Sequence, residues 1–467
     1  MAAWARFRAK CGRISHDIGQ MQRPSELADY IPAALIEKLA LFLLLVWALS
    51  PVIILILKGC RLTGYFMAGL QWAWILWQVG MFGLLLGAVA LAKSLLAAGR
   101  RGENWLRPWA RRHLFPLLLL LLLLWATLSA FFADNFLLSF FGDSYRKDGL
   151  FTYYSYAGIF ACAYIVRRRS RLVVEVLVAV FALLALLTVL DSQALNAFFA
   201  IATDRGIYFN INHYAYVLGL AVMLAALLAM AGPATVTGGL PLRLAALALL
   251  TWALLINRSF GPYLAVIGGM ALLIIFTAGF DRERLKRAVL VVAVFAVVSL
   301  GYNAVYYNVS GDFSRLFGDV GRIAWDDPDA GDAGSGRWEL WVLGVEFAAE
   351  RPVLGHGPDS LRPLYRAEDI NHSSPHCCVI YLAATLGYPA MLLYLGAMLA
   401  LTVSFFRCRR RLTTYHIGLF CAVAAWFASS LLGVSMYYTS PFYFTVLGLA
   451  AGSLLALKPA GDENAEA

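Results

Sequence analysis

Charge is scarce in this sequence. Asp, Glu, Lys and Arg make up 14% of its 467 residues, against 61% hydrophobic, and the mean hydropathy is +0.71. A soluble domain carries about 25% charged residues on average, so most of this chain must lie in lipid and no single soluble core is implied. Cysteine is present but in no chemical pattern: Cys11, Cys60, Cys162, Cys377, Cys378, Cys408 and Cys421 form neither a CxxC pair nor a Cys/His metal spacing. That argues against zinc and redox chemistry. The adjacent Cys377 and Cys378 read as small packing residues, because a disulfide between neighbours closes a strained ring. The first 30 residues lack an apolar stretch, so no cleavable signal peptide is expected and the first span serves as the insertion signal. Nor is there an internal repeat with paired Gly/Pro-broken spans, and ionisable residues are nearly absent from span interiors. Both absences count against a coupled transporter.

What the chain has instead is a succession of apolar runs long enough for helical spans of roughly 20 residues. The fold class is therefore all-α: a polytopic integral membrane protein with about twelve transmembrane helices and one large extracytoplasmic loop that contains short helices. The expected organisation is a cytoplasmic tail over 1–34, nine spans within 35–305, a large outer loop over 306–378, three further spans within 379–457 and a cytoplasmic tail over 458–467. An even number of spans returns both termini to one side. Placing that side in the cytoplasm gathers most of the 38 Lys and Arg into tight inner turns, among them Arg167-Arg168-Arg169-Ser170-Arg171, Arg282 to Arg287 and Arg407 to Arg411, as the positive-inside rule requires. The formal net charge of +10 is then a consequence of topology, and a nucleic-acid partner is not expected. The location expected is the cell membrane, with both termini cytoplasmic.

The large loop divides in two. Its first half, rich in Gly and Asp through Gly311-Asp312 and Asp326-Asp327-Pro328-Asp329, is expected to be a mobile segment. In its second half Trp338, Trp341, Val345 and Ala348 form a stripe opposite Glu339, Glu346 and Glu350, which predicts an amphipathic helix at the outer interface, ended by Arg351-Pro352.

Two groups of residues could carry chemistry. Arg146, Arg205, Arg258 and Arg337 all fall on the outer face, where short loops normally shed basic residues, so each needs an anionic partner. A guanidinium fork matches phosphate oxygens, and an ion pair with a neighbouring carboxylate is the competing explanation, most directly for Arg146 between Asp143 and Asp148. The second group is Asn371-His372-Ser373-Ser374-Pro375-His376-Cys377-Cys378. Pro375 suits a first helical turn and Ser373 or Ser374 a cap, which places His376 at the outer N-terminus of the tenth span, where the helix dipole favours a neutral imidazole. His372 and His376 stand four apart as a metal pair would, with Asp369 and His356 nearby, but Pro375 interrupts the helix that pair would need, and no metal is expected.

Taken in order, Phe141-Gly142 through Tyr145-Arg146-Lys147-Asp148-Gly149, Arg205 with Phe209-Asn210-Ile211-Asn212, Arg258-Ser259, Gly336-Arg337, Trp341, Arg351-Pro352-Val353-Leu354-Gly355-His356-Gly357 and His376 with Gly387 resemble the motifs of the O-antigen ligase and polymerase superfamily, over roughly 140–390. Where that family has His-Asn, this chain has His376-Cys377, with an Asn371-His372 pair just before it, and both histidines are candidates. The resemblance implies an enzyme that moves a glycan from a polyprenyl-diphosphate carrier to a hydroxyl on a glycan or lipid-anchored acceptor at the outer face, with no cofactor, nucleotide sugar or metal. It assigns His376, Arg258 and Arg205 to catalysis, and Arg337, Arg146, His372 and Asn210 to substrate binding. The alternative from another class is a transporter or flippase of lipid-linked oligosaccharide. Ligase and polymerase are not separated by these residues.

Overall fold

The computed structural model describes residues 4, 26–61, 70–100, 104–232, 238–279, 282–306, 309–325, 330–434 and 436–457. The tail 458–467, most of the tail 1–34 and the Asp326 to Asp329 run lie outside them. Among the described residues the chain is helical, with one isolated bridge between Ala202 and Gly206 as its extended pairing.

The first group of helices is α1 (Ala33–Ala48), α2 (Ser50–Gly59), α3 (Leu70–Gly99), α4 (Leu106–Arg112), α5 (Leu114–Phe131), α6 (Phe136–Phe141), α7 (Leu150–Ile165), α8 (Ser170–Leu190) and α9 (Gln193–Phe199). Then follow α10 (Ile211–Met230), α11 (Leu240–Ile256), α12 (Phe260–Ala278) and α13 (Arg282–Val305). The segment between α13 and the last three helices holds α14 (Val309–Ala324), α15 (Ala333–Glu350) and α16 (Leu361–Ala367), and α17 (Cys378–Arg407), α18 (Thr414–Ser430) and α19 (Ser440–Leu455) follow. Among the described residues seven helices, α3, α5, α8, α10, α12, α13 and α17, are long and apolar enough to cross a bilayer; α1 and α2, bent by 46°, make an eighth if they are one broken span. The sequence leads to a count of twelve. The difference lies in α7, α11, α18 and α19, which are only 16 or 17 residues long, short of the roughly 20 that a perpendicular crossing needs.

Burial sorts the spans. Helix α10 is buried along its whole length, enclosed by α8, α11, α12, α13 and α18, and its small residues Ala215, Gly219, Ala221, Ala225 and Ala229 let those neighbours approach. Helices α3 and α5 leave most of their surface outside the protein; rings and branched chains such as Phe82, Leu85, Leu124 and Phe131 point outward, as a lipid-facing wall should. Where α3 does pack, on α7, it uses glycine: a Cβ on Gly158 would stand 1.8 Å from the Gly80 carbonyl oxygen.

Between α13 and α17 the structure adds detail to the expected loop helices. Over 309–324 the Gly- and Asp-rich half forms α14, where Phe313, Leu316, Phe317, Val320 and Ile323 recur at helical spacing opposite Asp312, Arg315, Asp319 and Arg322. Helix α15, the amphipathic helix expected, packs on the protein through a face that shares Ala348 with the tryptophan stripe. Leu340, Gly344, Phe347 and Ala348 are buried, Trp338 and Trp341 are half-buried and Val345 is exposed. The reason is the partner surface, where Phe347 meets the Tyr365 ring edge-on at 5.2 Å and Tyr365 donates to the Leu340 carbonyl.

The segment Pro352 to Gly357 lies along a break in α17. Gly387 leaves the helical region at φ 83°, which frees backbone groups, and the segment takes them up: the amides of His356 and Gly357 donate to the carbonyls of Ala384 and Thr385, and the Tyr388 amide donates to Pro352. Helix α5 completes the joint, with Trp125 Nε1 donating to Leu386 and Ser129 Oγ to Leu354 and Thr385. A Cβ at Gly387 would stand 2.0 Å from the Val353 carbonyl oxygen. Gly387→Ala is therefore expected to cost more than about 2 kcal/mol, seen as a lowered melting temperature in detergent. Gly301→Ala, at a helical position where nothing approaches within 4 Å, should leave that temperature unchanged or raise it.

Candidate active site

His376 lies two residues before α17 and not on its first turn. Its φ is 54°, the helix begins at Cys378 with Cys377 as an N-cap that makes no side-chain bond, and Ser374 Oγ accepts from the His376 amide instead of capping the span. Pro375 thus closes a turn that presents the imidazole rather than starting a helix. The ring's Nδ1 stands 3.1 Å from the Ser374 carbonyl oxygen. A carbonyl only accepts, so in this geometry Nδ1 carries the proton and Nε2 keeps a lone pair. Burial, with the guanidinium of Arg337 next in importance, pushes the His376 imidazole down to about 4. It is a neutral base at physiological pH. His372 meets it edge to face at 5.5 Å between ring centres.

Arg337 reaches the site from the start of regular helix in α15. Gly334, Ser335 and Gly336 are all left-handed, at φ 63°, 61° and 77°, and the turn they make is held by Arg337 Nη1 donating to the Gly334 carbonyl. The Nε of Arg337 is buried with no hydrogen-bond partner among the described residues, and its guanidinium acts electrostatically on His376.

Arg146 is 1% exposed and fully engaged within the protein. Its Nε donates to Asp359 at 3.0 Å and its Nη2 to Asp148 at 3.4 Å, while the guanidinium carbon sits 4.8 Å over the Tyr381 ring. Asp359 in turn accepts from the amides of Asp143 and Asp148, Asp148 accepts from Tyr156, and Arg362 donates to Asp143. This network ties the outer turn 142–149 to the segment beyond Gly357. Two buried carboxylates face one guanidinium, and burial, offset in part by Arg146, raises Asp359 and pushes Asp148 up to about 7.

Arg205, Arg258 and Asn210 form a second group. Asn257 Nδ2 donates to the carbonyls of Asp204 at 2.6 Å and Ile211 at 2.8 Å, and Ser259 donates to Asn212, so the turns bearing Arg205 and Arg258 are stitched together. Asn210 caps α10 by accepting from the Asn212 amide. Both arginines are exposed on the outer side of this knot, Arg258 at φ 56° and Arg205 in a loose 3.8 Å pair with Asp204.

His213 joins the two groups. One turn into α10, buried and bonded through Nδ1 to Tyr438 at 2.5 Å, it lies within electrostatic range of both Arg146 and His376. Sequence reading missed it, along with Asp359 and Tyr381. The signal for His213 was present, a histidine inside an otherwise apolar span directly after Asn210 and Asn212; Asp359 and Tyr381 carry no local signal. His356 is spoken for by the Phe347 carbonyl at 3.0 Å.

Residues 245–395 match the family model described as O-antigen ligase. The match takes in Arg258, Arg337, His372 and His376 and stops short of Arg146, Arg205 and Asn210. It supports the O-antigen ligase and polymerase superfamily and, with the apolar helices, an integral membrane protein that works as a glycan ligase or polymerase. No curated protein matches the chain.

Two outcomes follow from the charges. Arg146→Ala leaves two buried carboxylates without their cation and should cost about 3 to 5 kcal/mol, read as loss of folded protein in detergent. The raised pKa of Asp148 means that between its unfolded and folded values the native state holds a proton the unfolded chain has lost. Its stabilisation is complete below the unfolded value of 3.8 and disappears as pH rises through about 7. Asp148→Asn should therefore flatten the fall in melting temperature between acidic and alkaline buffers.

Proposed function

We propose, on the premise of the O-antigen ligase domain at 245–395, that this chain transfers a glycan from a polyprenyl-diphosphate carrier to a hydroxyl acceptor at the outer face of the cytoplasmic membrane. The observation that carries the reading is His376: a neutral imidazole with its Nε2 lone pair free of the Ser374 contact, in the field of Arg337, whose Nε is unpartnered among the described residues. In the reaction the acceptor hydroxyl gives its proton to Nε2 as its oxygen attacks the anomeric carbon. The bond from that carbon to the diphosphate oxygen breaks, and its electron pair leaves with the diphosphate. The products are the glycosylated acceptor and the polyprenyl diphosphate, and the proton on His376 passes to water.

A diphosphate is already a good leaving group, so the chief requirement is cationic stabilisation as charge accumulates on it. Arg205 and Arg258, exposed on turns that Asn257 stitches together, take that role, and Asn210, at the cap of α10, adds a substrate contact. Arg337 positions donor or acceptor from α15, with His372 at the rim. Arg146, enclosed by Asp148 and Asp359, holds the site together from beneath. In this reading both termini are cytoplasmic, 306–378 is the outer module, and the shorter helices α7, α11, α18 and α19 cross the membrane to give twelve spans.

The test is transfer in vitro with purified protein, a polyprenyl-diphosphate oligosaccharide and a panel of glycan and lipid acceptors. His376→Ala should lower kcat by about 10²- to 10⁴-fold, and Arg258→Ala or Arg205→Ala by about 10²-fold or more, in variants that still insert. Transfer at the wild-type rate by His376→Ala would remove the base assignment. Donor that crosses liposomes without any product would favour the flippase instead.

A further inference from the structure

A cavity of about 620 Å³ opens between α3, α5, α7 and the α17 to α19 region. Its outer end touches Asp148, Tyr381 and Ser430, next to the proposed site, and its middle is walled by apolar side chains such as Leu84, Leu91, Leu117, Leu120 and Phe160. The other end is different in kind. There the lining consists of Glu37, Lys93, Ser94, His113, Tyr164 and Arg167, on the side of the Arg167 to Arg171 turn that the positive-inside pattern assigns to the cytoplasm.

Hydrogen bonding leaves this inner end short of acceptors. Lys93 spends two donors on the carbonyls of Ala28 and Ile31 and keeps its third, and Glu37, the one carboxylate there, accepts through Oε1 from the amides of Arg167 and Arg168. Ser94 accepts from Trp109 and keeps its own hydrogen. His113 Nδ1 and the Tyr164 hydroxyl lie 2.8 Å apart, and in either tautomer one donor is left over: Nε2–H if the phenol donates, the phenol O–H if the imidazole does. Burial, and after it the cations Arg112 and Arg167, push His113 down to about 4. The end of the cavity is thus a cluster of donors in a positive field, at the foot of an apolar shaft.

We infer that this inner end binds the headgroup of an anionic glycerophospholipid from the cytoplasmic leaflet, with the lipid's chains rising into the apolar shaft. The far end of a polyprenyl chain is hydrocarbon and offers nothing to these donors, so the carrier's tail does not account for them. A phosphate diester bearing net negative charge does. The site does not depend on the transfer reading, and its test needs no enzymatic activity.

Native mass spectrometry of the full-length protein with phosphatidylglycerol, with phosphatidylcholine and with inorganic phosphate decides it. Wild-type protein should retain phosphatidylglycerol over phosphatidylcholine by roughly tenfold or more and inorganic phosphate not at all. The Arg112→Gln/Arg167→Gln double variant should bring the two lipids to parity. Leu120→Trp, which fills the shaft from α5, should reduce retention of phosphatidylglycerol with the headgroup cluster intact, and it serves where the double variant does not insert. Equal retention of the two lipids by the wild type, or a preference unchanged in both variants, would overturn the inference. Inorganic phosphate held as tightly as the lipid would overturn the lipid as its source.

Discussion

A backbone group freed inside a membrane protein must find a partner within the protein, because lipid offers none. That constraint acts with most consequence at Gly387. The break there lets α17 change course, and it is tolerated only because Pro352, His356 and Gly357 exchange hydrogen bonds with Ala384, Thr385 and Tyr388 while Trp125 and Ser129 cover the remaining carbonyls. The same contacts fix where α15 ends and where α16 begins. Everything on the outer side of the site, including the turn that carries Arg337 and the run from Asn371 to His376, hangs from this joint.

Arg146 does for the charged residues what Gly387 does for the backbone. A guanidinium with 1% exposure is tolerable only if its donors are met, and here they are met by carboxylates from two separate outer segments and the face of Tyr381. Removing water from such a group is costly, and that cost is offset by a geometry holding the turn 142–149, α7 and α17 in one register. The exposed arginines are in the opposite situation. Arg205 and Arg258 stand exposed on turns fastened by neutral side chains, Asn257 and Ser259, so it is not their own guanidinium groups that hold those turns together.

Legibility in the sequence follows the range of the interaction. Apolar runs are local, and they led to an all-helical membrane protein and to the position of α15. The stripe in α14 is equally local, although its glycines and aspartates draw the eye first. Which face of α15 packs on the protein is not local, because that depends on partners beyond the helix, Tyr365 and Tyr381. The arginines could be picked out by their sidedness alone. Separating buried Arg146 from exposed Arg258 could not be done that way, since Asp359, which decides it, lies 213 residues from Arg146.

Neutrality is what the site achieves at His376, and it does so without the helix dipole that local sequence suggests. The imidazole stands off the end of α17, its Nδ1 committed to a backbone carbonyl and its charge suppressed by burial and by Arg337. On the proposed reading of His376 as the base, a cation that lowers its basicity would ordinarily weaken catalysis. For the proposed transfer, whose leaving group is an anion, the arrangement is consistent, because the same positive field that keeps the imidazole unprotonated also favours charge building on a diphosphate. Once the imidazole has taken a proton, that field favours its prompt release, which returns the base to its neutral form. A base held near 4 rather than near 7 thus gives up some driving force for proton transfer in exchange for always being in the form that can react.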